Sequence, residues 1–141
     1  MFNYASEAWT LKKSEADKIN ALEMWILRKL CNVKWADRIS NKDVLCRYRQ
    51  ERSLLKNLAN RKFKYAGHVM RGSGGERSLL ILEGLVEGPN AVGSPRIGWV
   101  DNIIEWTELQ NYLNVRRAAA DRERYRRLSA NPRIDEDGTR K

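Results

Sequence analysis

The chain has 141 residues, of which 42% are hydrophobic and 32% charged, and it carries a formal net charge of +9. Five tryptophans and five tyrosines exclude a disordered chain, because disordered segments are poor in aromatic residues, and no apolar run approaches the ~18 residues that span a membrane. This length predicts one domain or two small ones, and the excess of positive charge favours a polyanionic partner, nucleic acid above all.

Cysteine and histidine are too few to build a metal site or a disulfide scaffold. Cys31 and Cys46 do not form a CxxC pair, and His68 is the single histidine. Structural zinc needs about four ligands, typically in two closely spaced pairs. The first residues do not combine a basic stretch with an apolar one, as a secretory signal does. We therefore expect free thiols, no metal, and a location in the nucleus or cytoplasm without secretion.

The first half of the chain predicts one extended segment followed by three helices. Residues 2–11 alternate in part between aromatic and polar residues, which favours a short strand. Apolar residues recur at helical spacing over 14–32 and predict a helix with a broad apolar face that includes Trp25. Ser40 is the predicted N-cap of a short helix, and a third helix is predicted over 51–70.

The second half predicts two further helices. Residues 72–95 form a connector rich in glycine and proline, in which a small hairpin at 78–88 is an alternative to a helical turn. The Ser-Pro pair at 94–95 is typical of a helix start, and Asn114 is the predicted cap of a last helix. The fold class that follows is mainly α, with about five helices in an irregular bundle and a disordered tail at 131–141.

Positive charge is concentrated in two segments that are predicted to be helical. Residues 47–71 contain eight basic residues and one acidic residue, a net +7, and residues 114–128 contain six arginines and two acidic residues, a net +4. In the first segment, polar and basic side chains advance by four, three, four and three residues, which keeps them on one helix face: Asn57, Arg61, Lys64, His68 and Arg71. Such cations bind phosphates by displacing counterions, and the alternative for each segment is a solvated helix face.

The chain lacks the residue combinations of a polymerase or nuclease. Two-metal catalysis needs closely placed carboxylates, and the sequence has no Asp-Asp pair. No nucleophile–base pair is recognisable around His68, so we expect its ring to hydrogen-bond to backbone or to phosphate. Residues 93–96 (GSPR) bring backbone N–H groups and Arg96 to a predicted helix start. This segment is either a phosphate-binding site or a helix N-terminus without a ligand. We expect no catalytic residue and no cofactor.

Seven blocks of the sequence occur in an order that is specific as a set. They are 4–11 (YASEAWTL), 22–25 (LEMW), 35–41 (WADRISN), 61–69 (RKFKYAGHV), 82–84 (LEG), 93–101 (GSPRIGWVD) and 121–126 (DRERYR). In this order they resemble the segment that follows the reverse-transcriptase palm in LINE-type (non-LTR) retrotransposon proteins, the endonuclease-reverse transcriptases. The resemblance covers the chain from about Tyr4 to Leu128.

In that family the matched region includes the helical thumb, which grips the template–primer duplex, and the catalytic aspartates lie upstream of it. The resemblance therefore implies a fragment that is not an enzyme by itself. Its implied segments are a palm-edge remnant at 1–13, a thumb-like helical bundle at 14–71, the connector at 72–95, a basic helical pair at 96–130 and the tail at 131–141. The departures from the family are Ser94 for a basic residue, Tyr65 and Tyr125 for tryptophan, and Ala5 for glycine.

The expected partner is an RNA–DNA or DNA duplex held by backbone contacts, with a reverse-transcriptase palm as a further candidate. Neither a membrane nor a small-molecule substrate is expected. The predicted contact residues are Arg61, Lys62, Lys64, His68, Arg71, Arg96, Arg116, Arg117, Arg122 and Arg126. One alternative is an orphan structural remnant that folds or functions only with a missing palm, and that exposes Trp9, Trp25 or Trp106 as a patch. Another is an enzyme, either a divergent nuclease or a polymerase subunit that receives its palm from another chain.

Overall fold

The structure is a computed structural model, and it describes residues 5–49, 51–83, 98–130 and 132–134. Over these ranges the backbone forms seven α-helices and no strand, which confirms the mainly α fold with two more helices than expected. The helices are α1 (Lys13–Leu30), α2 (Asn41–Tyr48), α3 (Leu54–Met70), α4 (Glu76–Glu83), α5 (Asp101–Thr107), α6 (Tyr112–Ala120) and α7 (Arg122–Ala130). Short 3₁₀ turns at Ser6–Ala8 and Trp35–Asp37 precede α1 and α2.

The described residues divide into two compact units. The small unit is formed by residues 12–57, and the large unit combines residues 5–11 with residues 58–134. Helix α3 therefore gives its first turn to the small unit and its remaining turns to the large one. In the large unit, α3 packs against α5 and α7 through Phe63.

The N-terminal segment is extended only in part. Ala5 adopts a left-handed backbone with φ 55° before the turn at Ser6–Ala8, and the chain is extended again at Trp9. Leu11 then donates its N–H to Oδ1 of Asn102 at 2.8 Å, and its carbonyl accepts from Nδ2 of Asn102 at 2.7 Å. The Asn102 amide thus satisfies both backbone groups that a neighbouring strand would have bonded. Residues 1–4 of the predicted strand lie outside the described ranges.

The small unit pairs α1 with α2. Ile19 and Met24 of α1 and Val44 of α2 are buried. Ser40 caps α2 as predicted, because its Oγ accepts the N–H of Asp43 at 3.2 Å. The predicted apolar face of α1 is buried only in part, because Trp25, Ile26 and Leu30 are exposed.

A side chain of α1 accepts the free backbone N–H groups at the start of α3. Glu23 is buried, and its Oε1 accepts the backbone N–H groups of Ser53 at 2.8 Å and Leu54 at 3.0 Å. The first N–H groups of a helix have no partner within the helix, so this carboxylate supplies an N-cap from a distant part of the chain. The helix predicted over 51–70 accordingly begins at Leu54.

The core of the large unit is built around Phe63 of α3. Its ring lies 6.0 Å from that of Trp106 on α5 and 6.3 Å from that of Tyr125 on α7, between centroids. The other buried apolar residues of this core include Leu58, Ala59, Ala66, Val69, Ile103, Val115, Ala118 and Ala119. One side of α3 therefore packs against α5, α6 and α7.

The last predicted helix is in fact two helices. Asn111, not Asn114, caps α6, since its Oδ1 accepts the N–H of Asn114 at 3.0 Å. Asp121 interrupts the helical path with ψ 107°, and its Oδ1 accepts the N–H groups of Glu123 at 3.0 Å and Arg124 at 3.1 Å. An aspartate that can bond the backbone in this way favours a helix start over a helix interior.

The predicted connector contains helix α4. Of the two alternatives for 78–88, the helical one is present over residues 78–83. Residues 84–88 and the predicted helix start at 94–95 lie outside the described ranges. Gly72 and Gly75 have φ of 80° and 83°, so they supply the left-handed backbone that separates α3 from α4.

Candidate nucleic-acid interface

Three of the predicted contact residues share the exposed side of α3. Arg61, Lys64 and His68 are all exposed, whereas Phe63, Ala66 and the other core residues of α3 face the opposite way. Spacings of three and four residues place the three side chains on one face. We call this face, Arg61, Lys64 and His68, the α3 ridge. Helix α3 carries no acidic residue, so its own sequence leaves the ridge uncompensated.

Arg61 lies beside an acidic residue, Glu7, in the large unit. Its Nε lies 3.6 Å from Oε2 of Glu7, and both side chains are partly exposed, at 48% and 31%. Oε2 of Glu7 is itself buried and has no hydrogen-bond partner among the described residues, so this pair compensates part of the charge of Arg61. A phosphate at Arg61 therefore competes with Glu7 for the guanidinium.

Arg71 continues the spacing of the ridge but is tied to the protein. It is half-buried, and its Nη1 donates to the carbonyl of Ala119 at 3.1 Å. The last carbonyls of a helix lack partners within the helix and carry its negative end, so a guanidinium is well placed there. Arg71 thus joins α3 to α6, and we leave it out of the α3 ridge.

Lys62 lies inside the large unit and not on its surface. Its residue exposure is 0%, and its Nζ donates to the carbonyl of Trp9 at 3.0 Å and to Oδ1 of Asn102 at 2.8 Å. The same nitrogen lies 4.8 Å from the ring centroid of Trp99 and 5.6 Å from that of Trp106. Two oxygens and two indole faces therefore surround one ammonium group.

Burial changes the pKa of this lysine. It lowers the pKa of Lys62 from 10.5 to about 8, and the nearby carboxylate of Asp101 acts in the opposite direction. With its ammonium enclosed, Lys62 connects α3 to α5 and to the N-terminal segment, and it does not belong to an accessible binding face. The sequence does contain a signal of this position: apolar residues Leu55, Leu58, Ala59 and Ala66 surround position 62 at helical spacing.

Helix α7 is anchored to α3 by Tyr125. Its hydroxyl donates to the carbonyl of Phe63 at 3.1 Å, and burial raises the pKa of this phenol. A methyl group on Gly67 would lie 2.6 Å from Cε1 of Tyr125, so the absence of a side chain at Gly67 permits this close approach. Gly67 directly precedes His68 of the ridge, so the ridge and α7 belong to two helices in direct contact.

The arginines of α7 are exposed around this anchor. Arg122 and Arg126 are exposed as predicted, and so are Arg124 and Arg127, which were not among the predicted contact residues. Arg127 has an exposed ion pair with Glu123 at 3.9 Å. We call Arg122, Arg124, Arg126 and Arg127 the α7 arginines.

The remaining predicted residues divide into three cases. Arg117 of α6 is exposed. Arg116 pairs with Glu83 of α4 at 2.8 Å, and the hydroxyl of Tyr112 donates to the same carboxylate at 2.9 Å, so its charge is compensated. Burial is the main cause that raises the pKa of Tyr112 to about 12. Arg96 lies outside the described ranges.

Comparison of the chain with known proteins identifies no family to which it belongs. No protein-family profile, no curated protein and no solved structure matches this chain. Among the described residues, no three side chains of the metal-ligating types come together as a site, and no helix combines the length and apolarity needed to cross a bilayer.

Proposed function

We propose that this chain binds the sugar–phosphate backbone of a nucleic-acid duplex, RNA–DNA or DNA, and has no catalytic activity of its own. The α3 ridge and the α7 arginines are the proposed contact surface. The observation that carries the proposal is the exposure of Arg61, Lys64 and His68 on one face of a helix without acidic residues, in contact with an arginine-rich helix. The resemblance to the thumb region of retrotransposon reverse transcriptases supports the same partner.

The chemistry of these side chains favours phosphate over base recognition. Lysine and arginine release condensed counterions when they meet phosphates, and arginine adds a two-pronged hydrogen bond. Phosphate contacts position a protein without carrying sequence information. Binding is therefore expected to depend steeply on salt and weakly on duplex sequence.

A salt titration with matched variants tests the proposal. Fluorescence anisotropy of a labelled DNA duplex and of a labelled RNA–DNA hybrid gives the slope of log affinity against log salt. Removal of one phosphate contact reduces the magnitude of that slope by about 1, so Lys64→Gln is expected to reduce it by about 1 and the double variant Lys64→Gln with Arg126→Gln by about 2. Lys18→Gln, which removes the same charge from exposed α1, is the control and is expected to keep the wild-type slope.

Two results would contradict the proposal. Affinity that stays constant as salt rises would rule out phosphate contacts, and equal losses for Lys18→Gln and Lys64→Gln would show that net charge alone matters. A cooperative thermal transition by circular dichroism verifies the fold of every variant beforehand. A wild-type chain without such a transition would instead favour the orphan remnant, although Trp106, one of its three proposed patch residues, is buried against Phe63.

A further inference from the structure

Two of the most exposed large apolar side chains line one pocket in the small unit. Trp35 is 95% exposed and Trp25 is 58% exposed, although tryptophan is highly buried on average. The pocket lies between the last turns of α1 and the 3₁₀ turn at Trp35–Asp37, and its volume is about 790 Å³. This volume is within the range of roughly 300–1,000 Å³ that ligand pockets occupy.

The lining of this pocket combines the two tryptophans with four cations. Arg28, Lys29, Lys34 and Arg38 line it, and no aspartate or glutamate is among its lining residues in the described part of the chain. We call these six residues the tryptophan pocket. Lys29 Nζ lies 5.9 Å from the ring centroid of Trp25, which orients one cation along one aromatic face.

Two of the cations are not engaged with acidic groups. Lys34 and Arg38 make no ion pair with any residue in the described ranges. The carboxylate of Asp37 accepts the backbone N–H of Lys34 at 2.8 Å. Within the described part of the chain, these two side chains are therefore not neutralised by a carboxylate, and an external anion is a suitable partner for them.

The backbone around the pocket is held in a conformation that side chains disfavour. Asn32 and Arg38 have φ of 51° and 49°, in the left-handed region, where a bulky residue such as arginine is uncommon. Arg28 holds the following residues in place, because its Nη2 donates to the carbonyl of Ile39 at 2.7 Å and to Oδ1 of Asn41 at 2.9 Å. Arg28 thus links α1 to the residues that follow Arg38.

We propose that the tryptophan pocket binds an unpaired nucleobase together with its neighbouring phosphates in single-stranded nucleic acid. Aromatic platforms flanked by cations are what single-strand binding requires, since every base has a face that stacks and every linkage carries a negative charge. Within a duplex both faces of a base are covered by its neighbours, so a paired base cannot stack on Trp35. The proposal is independent of the duplex surface on α3 and α7, which lies in the other unit.

The test measures binding of the full chain to a labelled oligothymidylate of about 12 nucleotides, within the roughly 4–16 nucleotides of a single-strand site. Loss of one stacked base costs about 5- to 150-fold in affinity, so Trp35→Ala is expected to weaken binding by that factor and Trp35→Tyr to retain most of the affinity. Lys34→Gln is expected to reduce the magnitude of the salt slope by about 0.7. Leu113→Ala, at a 58% exposed apolar residue of α6, is the control and is expected to bind as wild type.

The same variants give the outcomes that overturn the proposal. Wild-type affinity of Trp35→Ala for oligothymidylate refutes stacking on Trp35. Equal weakening of oligothymidylate and duplex binding by Trp35→Ala refutes a specific single-strand site. Binding to phosphatidylserine vesicles that depends on Trp35, without binding to oligothymidylate, would show that the pocket contacts a membrane surface instead. Because Trp35 is almost fully exposed, Trp35→Ala is expected to fold normally, and circular dichroism checks this.

Discussion

Replacement of Lys62 by methionine tests the enclosed ammonium group through the pH dependence of stability. Lys62 is completely buried, and its pKa is lowered from 10.5 to about 8 because burial disfavours its charged form. Between these two pH values the unfolded chain binds the proton and the folded chain does not. The free energy of unfolding therefore rises with pH across this window, and the penalty for burying the charge is fully present below pH 8.

The size of the effect follows from the two pKa values. Integration of the difference in bound protons from about pH 7 to about pH 9.5 gives a gain of about 2 kcal/mol in the stability of the wild type. Methionine has a similar length and no charge, so Lys62→Met lacks this gain. The raised pKa values of Tyr112 and Tyr125 act in the opposite direction at higher pH, but both chains share them and they cancel in the difference.

Urea unfolding followed by tryptophan fluorescence at several pH values measures this difference. The stability of the wild type minus that of Lys62→Met is expected to rise by about 2 kcal/mol over the interval. Lys64→Met, at an exposed lysine two residues away, is the control and is expected to follow the wild type. A difference that stays flat, or that falls as pH rises, would show that Lys62 is not enclosed in the folded chain.

Two further substitutions test how α3 is held. Gly67→Ala places a methyl group 2.6 Å from Cε1 of Tyr125, and it is expected to lower the free energy of urea unfolding by about 1–3 kcal/mol; unchanged stability would mean that α7 does not dock at Gly67. Glu23→Ala removes the acceptor for the N–H of Leu54 and is expected to cost about 1–2 kcal/mol in thermal unfolding. Glu23→Gln keeps an acceptor oxygen and should lose less, so equal losses for both variants would indicate that the charge and not the hydrogen bond matters.

Helices α1, α2 and α3 were predictable because their signals are local. Apolar spacing located α1 and α3 to within three residues at each end, and Ser40 marked the start of α2 through a bond to a residue three positions away. The break between α6 and α7 was not predicted. Asp121 is a residue type that caps helices, but basic residues continue on both sides of it, so the pattern predicted a single helix. The same local periodicity placed Arg61, Lys64 and His68 together on one face of α3, and that face is exposed.

The environment of each cation depended instead on residues far along the chain. Lys62 is adjacent to Arg61 in sequence, yet Asn102 and the two indoles that enclose it arrive from α5 and the segment before it. Arg71 likewise continues the spacing of the ridge, but the end of α6 occupies its guanidinium. Helical periodicity determines which side chains share a face, whereas desolvation and hydrogen bonding are set by partners that only folding brings within a few ångströms.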